Sequence, residues 1–425
     1  MNKSRRRFIY NISSIIGGSF LFNDVAYPRS FSNSNSNSNN TLDSKELLQS
    51  YMIPGGTSYL NHASIGTIPR AVHNAHVKYL EICETNPSLY VWGLPWKEIT
   101  NNTRRIASNM LGCHQDDLAI THNTTEGFNI LAHGLDLKPS DEVLFSSLNH
   151  AGASMPWKGI SKIKKFQVRS FDFPINSVFE MNQDDIVDNY LSQIRGNTRA
   201  LIFPHIDNII GLRHPIQKIA SGAKKLGVEY IFVDGAQSAG MISVDLNNLG
   251  VDAFSMSPHK WIQAPKGTGL FYVHKDLRKK LPKMWYKSSV YGKDNSAIKY
   301  EDYSTRAWPA VVALGDAIRF QNAIGEVRKI NYYRSLWNKT KDLVESNPQL
   351  TWHSPKKWEL SSAIMSIEVR NKSSLQLEKS LSRDHNFFVR PFAKPINALR
   401  VSPNMFSSIE EIETLFDLAI NKIDT

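Results

Sequence analysis

Short runs rich in Val, Ile and Phe alternate along this chain with stretches whose apolar residues recur at helical spacing. The runs EVLFSS (142–147), RALIFPHI (199–206), EYIFVDG (229–235) and VDAFSMS (251–257) read as strands, whereas AVHNAHVKYLEICE (71–84) and TRRIASNMLG (103–112) carry the 3.6-residue period of helices. Strands interleaved with helices predict an α/β fold, a mainly parallel sheet covered on both faces. A polar, turn-rich stretch, SSVYGKDNSAIKYEDYST (288–305), interrupts this alternation. Beyond it the pattern predicts one long helix over 313–346, a strand at SAIMSIEV (362–369), a helix, a strand pair ending in LRVS (399–402) and a closing helix over 408–423. The predicted organisation is therefore 1–45, a leader and linker; 46–300, a large domain; and 301–425, a smaller α+β domain.

Length and composition add limits. With 425 residues, 41% of them hydrophobic, the chain can bury a large core. Of its formal charge of +11, +4 falls in the first forty residues, where Lys3, Arg5, Arg6, Arg7 and Arg29 face only Asp24, and the remaining body is mildly basic at about +7. The remainder shows no Lys/Arg stripe interleaved with aromatics, so nucleic acid is not an expected partner; a diffuse positive field favours anionic small molecules. Cys83 and Cys113 can form neither a disulfide framework nor a cysteine-based metal site, and no metal is expected.

Chemistry is expected just beyond the carboxyl ends of the strands, where open α/β sheets bind ligands. The strand EYIFV runs into Asp234, with Gln237 three residues on, and the strand DAFSM ends at Ser257, His259 and Lys260. The spacing between Asp234 and Lys260 is about that of one strand-helix-strand crossover, a dozen or more residues, so adjacent strands would present an acid and a lysine to one crevice. Thr124 and Thr125 open a helix, and hydroxyls with free N–H groups there form an anion seat. A lysine, a carboxylate and an anion seat are what pyridoxal 5′-phosphate requires: a Schiff-base partner for its aldehyde, an acid to keep its ring nitrogen protonated and a cradle for its phosphate.

Six motifs in order, TTEG (124–127), NHxxxxxPW (149–157), DNxxG (207–211), DGAQ (234–237), SPHKW (257–261) and LRVSPNMFSSxEEI (399–412), resemble the class V aminotransferase group of fold-type I pyridoxal-phosphate enzymes. The likeness runs from YLNHASIGTIPRAV (59–72) to the C-terminus. It implies Lys260 as the Schiff-base lysine, Asp234 as the partner of the ring nitrogen, and His150 stacked on the ring. Gln237 and Asn208 would hydrogen-bond the ring hydroxyl. Thr125, Ser257 and His259, with Thr124 nearby, would bind the phosphate. Thr305 falls where relatives reach into a neighbouring subunit, implying a homodimer with a shared site. Arg400 would clamp the carboxylate of an amino-acid-like substrate, with Arg390 as a second candidate.

Among the reactions this fold supports, a persulfide-forming cysteine is missing from the loop VRPFAKPINALR (389–400). YLNHASIGTIPRAV and YSTRAWPAVVALGDAIRF (303–320) are more similar to the isopenicillin N epimerase-like branch, so epimerisation of an amino acid is the first expectation. An aminotransferase or a cysteine-independent carbon–sulfur lyase is the alternative, and a non-catalytic cofactor-holding protein the distant one. A nucleotide-binding protein lacks its phosphate loops here. Ser4-Arg5-Arg6-Arg7-Phe8-Ile9 resembles the twin-arginine export motif, and SNSNSNSNN (32–40) reads as a tether. These imply an exported or periplasmic enzyme, membrane-anchored if the leader stays uncleaved.

Overall fold

The computed structural model describes residues 42–92, 94–285, 295–302 and 304–423. The twin-arginine-like motif, the Ser/Asn tether and residues 286–294 of the polar interruption lie outside them.

Seven strands form the central sheet in the order β2-β8-β7-β6-β5-β3-β4: β2 Leu118–Thr121, β3 Glu142–Ser146, β4 Gln167–Phe171, β5 Thr198–Pro204, β6 Tyr230–Asp234, β7 Ala253–Met256 and β8 Gly269–Val273. Strands β4, β3, β5, β6 and β7 pair in parallel; β8 runs antiparallel to both of its neighbours. Apart from the edge strand β4, the strands are buried on both faces because their side chains alternate between two apolar layers. Leu144, Leu201, Phe203, Val233 and Phe254 point into one, and Val143, Phe145, Ile202, Phe232 and Ala253 into the other. Trp157 belongs to the second layer, stacked on Phe232 with ring centroids 5.8 Å apart.

The longer helices around the sheet are α1 Arg70–Thr85, α2 Leu94–Met110, α3 Thr124–Gly134, α4 Ala151–Lys164, α5 Gln183–Leu191 and α6 Ile216–Lys225. The single helix expected over 313–346 is two, α7 Trp308–Ile324 and α8 Glu326–Ser346. Gly325 between them adopts φ +90°, which ends the first helix although the apolar pattern runs on through it.

A second, antiparallel sheet has the order β12-β13-β10-β9: β9 Leu350–Trp352, β10 Met365–Val369, β12 Arg390–Phe392 and β13 Ala398–Val401. Its apolar face packs with α8 and with the helices α9 Ser374–Asp384 and α10 Ile409–Asp417 through Trp337, Leu377, Leu399 and Leu415. The pair β1 Ser58–Tyr59 and β11 Phe387–Phe388, followed by a bridge between Asn61 and Ser402, lays the N-terminal arm along β13. That arm brings residues 61–66 to the ends of β7 and β13.

Candidate active site

Asp234 closes β6 and pairs in register with Ser255 of β7, so Lys260, five residues further on, leaves the sheet beside it. The turn between them is held by the Lys260 N–H donating to the Ser257 carbonyl at 3.0 Å. Gly235 permits the chain to turn here: a Cβ on it would lie 1.8 Å from the Phe254 ring. The Asp234 carboxylate is buried, and its Oδ1 accepts from the Ala236 N–H at 2.9 Å.

At the other end of the crevice α3 begins. The Thr124 N–H donates to Ser257 Oγ at 3.1 Å, and the two hydroxyls lie 2.8 Å apart. The Ser255 hydroxyl donates to the Thr124 carbonyl at 3.0 Å, which pins α3 against β7. Gly127 makes that approach feasible, since a Cβ there would meet Ser255 Oγ at 2.2 Å and the Phe271 ring at 2.8 Å. Thr125 is exposed, its Oγ1 facing the start of α4 next to Gly152 and the His150 ring. His259 Nδ1 is buried without a hydrogen-bond partner among the described residues. The crevice thus ends in a helix N-terminus, two threonine hydroxyls, a serine hydroxyl and an imidazole, the donor set an anionic group requires.

His150 caps α4, its Nδ1 accepting from the Gly152 N–H at 3.0 Å. That bond assigns the neutral ring a proton on Nε2. Asp234, Lys260, Arg400 and His150 interact electrostatically. Burial is the largest influence on each. It pushes Lys260 down to about 8, with Asp234 opposing and Arg400 reinforcing the shift. It lowers His150 and raises Asp234, which the Ala236 N–H, His150 and Lys260 partly counter. His259 falls to about 4, again through burial first and Lys260 second.

Arg400 in β13 is buried and pushed down to about 9 by burial, with Arg390 adding to the shift and Asp207 opposing it. Its Nη1 donates to the Asn208 carbonyl at 2.9 Å; its Nη2 donates to Asn61 Oδ1 at 2.9 Å and to Ser64 Oγ at 2.6 Å. Arg400 Nε is buried without a partner among the described residues. The turn carrying Asn208 is shaped by Asp207, which accepts from the N–H groups of Ile209, Ile210 and Leu212. Arg390 stands opposite Arg400 on β12 and is exposed.

Gln237 is engaged by the fold: its Oε1 accepts from Trp261 Nε1 at 2.8 Å and its Nε2 donates to the Ala63 carbonyl at 2.9 Å, leaving one amide hydrogen for any other acceptor. Thr305 is exposed on this chain. Sequence reasoning missed Asn61, Ser64 and His62. The first two hold Arg400, and buried His62 packs beside the backbone of Lys260. Their only signal was the polar NHAS segment breaking an apolar run.

The aminotransferase class-V family model matches residues 58–413. Among curated relatives, a probable cysteine desulfurase of Pyrococcus abyssi is 22% identical over 73% of this chain and 80% of its own length. Isopenicillin N epimerase of Amycolatopsis lactamdurans is 27% identical over 51% of this chain and 54% of its own. Among solved structures, the apo cysteine desulfurase of Thermococcus onnurineus superposes with a TM-score of 0.77 at 19% identity, covering 88% of this chain and 96% of that one. A complex of the cystine C–S lyase C-DES gives 0.76 at 21% identity, covering 86% and 98%. The fold is therefore that of the fold-type I pyridoxal-phosphate enzymes. The residues fit the cofactor: a lysine of lowered pKa beside a buried acid, and at a helix N-terminus an orphaned imidazole nitrogen among hydroxyls.

Proposed function

This chain belongs to the class V aminotransferase family of pyridoxal 5′-phosphate enzymes, and from that premise we propose that it cleaves a carbon–sulfur bond in a sulfur-bearing amino acid without a catalytic cysteine. The observation that carries the proposal is the pairing of Lys260 with a site that contains no thiol. The chain's two cysteines lie elsewhere: Cys83 packs with Tyr79, Val312 and Ala313, and Cys113 against the core, its thiol pushed up to about 12 by burial, Asp117 and Asp245. A thiol at such a pKa is not a nucleophile at neutral pH. The relatives named cysteine desulfurase and C–S lyase support sulfur chemistry, and the missing thiol favours the lyase course.

Lys260 would hold the cofactor, Asp234 its ring nitrogen, His150 a ring face, Asn208 and Gln237 its hydroxyl, and Thr124, Thr125, Ser257 and His259 its phosphate. When bound, that cofactor supplies an electron sink for the charge left on the α-carbon. Lys260 Nζ, uncharged in an appreciable fraction at neutral pH, takes the α-proton. Arg400 holds the substrate carboxylate, and Arg390 adds positive charge at the mouth.

Epimerisation is the second reading, supported by the isopenicillin N epimerase relative. Incubating the holoenzyme with single-enantiomer amino acids in heavy water separates the two. Pyruvate with sulfide or a thiol from cysteine, cystine or an S-substituted cysteine supports the lyase. The opposite enantiomer carrying α-deuterium, with no sulfur released, overturns it in favour of the epimerase, and keto acid alone makes it an aminotransferase.

The reading extends to assembly and address. Exposed Thr305 suits a homodimer in which each subunit completes its neighbour's phosphate site, and Ser4–Ile9 suits twin-arginine export. Sedimentation of the holoenzyme as a monomer, or undiminished export of an Arg5→Lys, Arg6→Lys variant, would remove these two.

A further inference from the structure

A cavity of about 410 Å³ lies at the base of the loop 205–214, lined by none of the residues assigned above to cofactor or substrate. Its size falls in the range of small-molecule pockets, about 300–1,000 Å³. Arg213 lines it, and its guanidinium makes no hydrogen bond or ion pair among the described residues. The half-buried guanidinium keeps contact with solvent, so its charge is open to a ligand entering the cavity. Burial also pulls Arg213 below the ordinary arginine range.

Two further features face the same space. Helix α6 opens onto it through Ile216, Gln217 and Lys218, and its N-cap, Pro215, provides no side-chain cap. The positive end of the helix dipole and its free N–H groups are thus left for an anion. His205 is 5% exposed, and its Nδ1 has no hydrogen-bond partner among the described residues. Lys218 is already paired with Asp184 at 2.8 Å, and Glu359 is the one carboxylate in the lining. Trp358, Leu249 and Leu360 supply an apolar wall.

We propose that this cavity is a second binding site, for a small organic anion whose carboxylate or phosphate lies against Arg213 and the α6 N-terminus and whose apolar body packs on Trp358. A bare inorganic ion would leave most of the volume unfilled and the apolar wall unused. The site lies behind the cofactor crevice: His205 N–H donates to the Asp234 carbonyl at 2.9 Å, and the loop that leaves His205 carries Asn208, which holds Arg400.

The test is calorimetric titration of the full-length holoenzyme with benzoate, phenyl phosphate and inorganic phosphate. It is carried out in an Arg400→Gln background so that the substrate site does not compete. Benzoate or phenyl phosphate should bind one per chain, and Arg213→Gln should weaken that binding at least tenfold, the loss of one charge-assisted contact. Lys218→Gln, at the rim and already paired, should cost much less; Arg213→Met, which keeps the packing of the stem, should match Arg213→Gln and serves as a second variant if that one folds poorly. Absence of binding by both organic probes overturns the proposal, as does affinity unchanged by Arg213→Gln. Binding of inorganic phosphate alone overturns the organic ligand.

Discussion

Arg400 Nη2 donates to Asn61 Oδ1 at 2.9 Å, joining two residues 339 positions apart in the chain. With Ser64 on the same nitrogen and the Asn208 carbonyl on Nη1, three of the five guanidinium N–H groups are committed before any substrate arrives. The two that remain, Nε–H and one on Nη1, lie on different edges of the fork. Either edge needs Nη2 to grip a carboxylate with two prongs, so a two-pronged substrate pair displaces Asn61 or Ser64.

Arg400→Gln should therefore raise KM for amino-acid substrates by roughly ten- to a hundredfold, the worth of one charged hydrogen bond at about 1.5–3 kcal/mol, and leave the cofactor spectrum unchanged. Arg400→Lys should do nearly as badly, because a single ammonium cannot serve Asn208, Asn61, Ser64 and a carboxylate together. Steady-state kinetics of the two variants against wild type is the check. A KM unaffected by either would remove Arg400 from substrate binding.

Lys260 must be uncharged to capture an aldehyde, and burial sets its pKa at about 8. The uncharged fraction rises tenfold per pH unit below that value and saturates above it. The rate at which apoenzyme takes up cofactor should accordingly increase roughly fifty-fold from pH 6 to pH 8 and level off by about pH 9. Stopped-flow absorbance at a series of pH values measures it. A rate that keeps climbing tenfold per unit to pH 10 would mean an ordinary, solvated lysine. Lys260→Ala should abolish both the visible band and turnover.

An alanine in a helix interior usually stabilises relative to glycine, by up to about 1 kcal/mol. Gly127→Ala should do the opposite here, because its Cβ would lie 2.2 Å from Ser255 Oγ, 2.9 Å from Ser255 Cβ and 2.8 Å from the Phe271 ring. Forcing α3 away from β7 should cost about 1–3 kcal/mol. It should also weaken cofactor retention, since the Thr124–Ser257 contact moves with the helix. Thermal denaturation with and without cofactor tests this, and a variant at least as stable as wild type would contradict the packing described.

The parallel sheet was legible because strands buried on both faces write themselves as Val/Ile/Phe runs, and β3, β5, β6 and β7 are such runs. Asp234 and Lys260 were legible for the same reason, the first closing one such run and the second lying four residues past the end of another. Local pattern could not reveal Asn61 and Ser64, which reach Arg400 only through the tertiary course of the arm. Nor could it foresee that Trp261 and Ala63 would occupy most of Gln237. The break at Gly325 was hidden because apolar periodicity continued through it, and Arg213 gave no sign of its unpaired position because a lone arginine in sequence reads as a surface charge.

Replacing both cysteines tests the proposed chemistry most directly. An enzyme that passes sulfur to its own thiol loses that reaction when the thiol goes, whereas one that expels sulfur from the substrate does not need it. Cys83 and Cys113 are both held above the ordinary thiol range, each first by burial. Neither is near Lys260 in sequence; Cys83 packs with Tyr79, Val312 and Ala313, and Cys113 lies beside Asp117 and Asp245. The Cys83→Ala, Cys113→Ala variant should therefore retain wild-type turnover to within about twofold, with any loss appearing in stability: truncating buried Cys83 and half-buried Cys113 costs up to about 1 kcal/mol each. Sulfur release from a cysteine derivative, measured alongside the melting temperature, separates the two effects. Release that disappears in a variant still folded and still bearing its cofactor band would show that a protein thiol takes part, and the cysteine-independent course would fall.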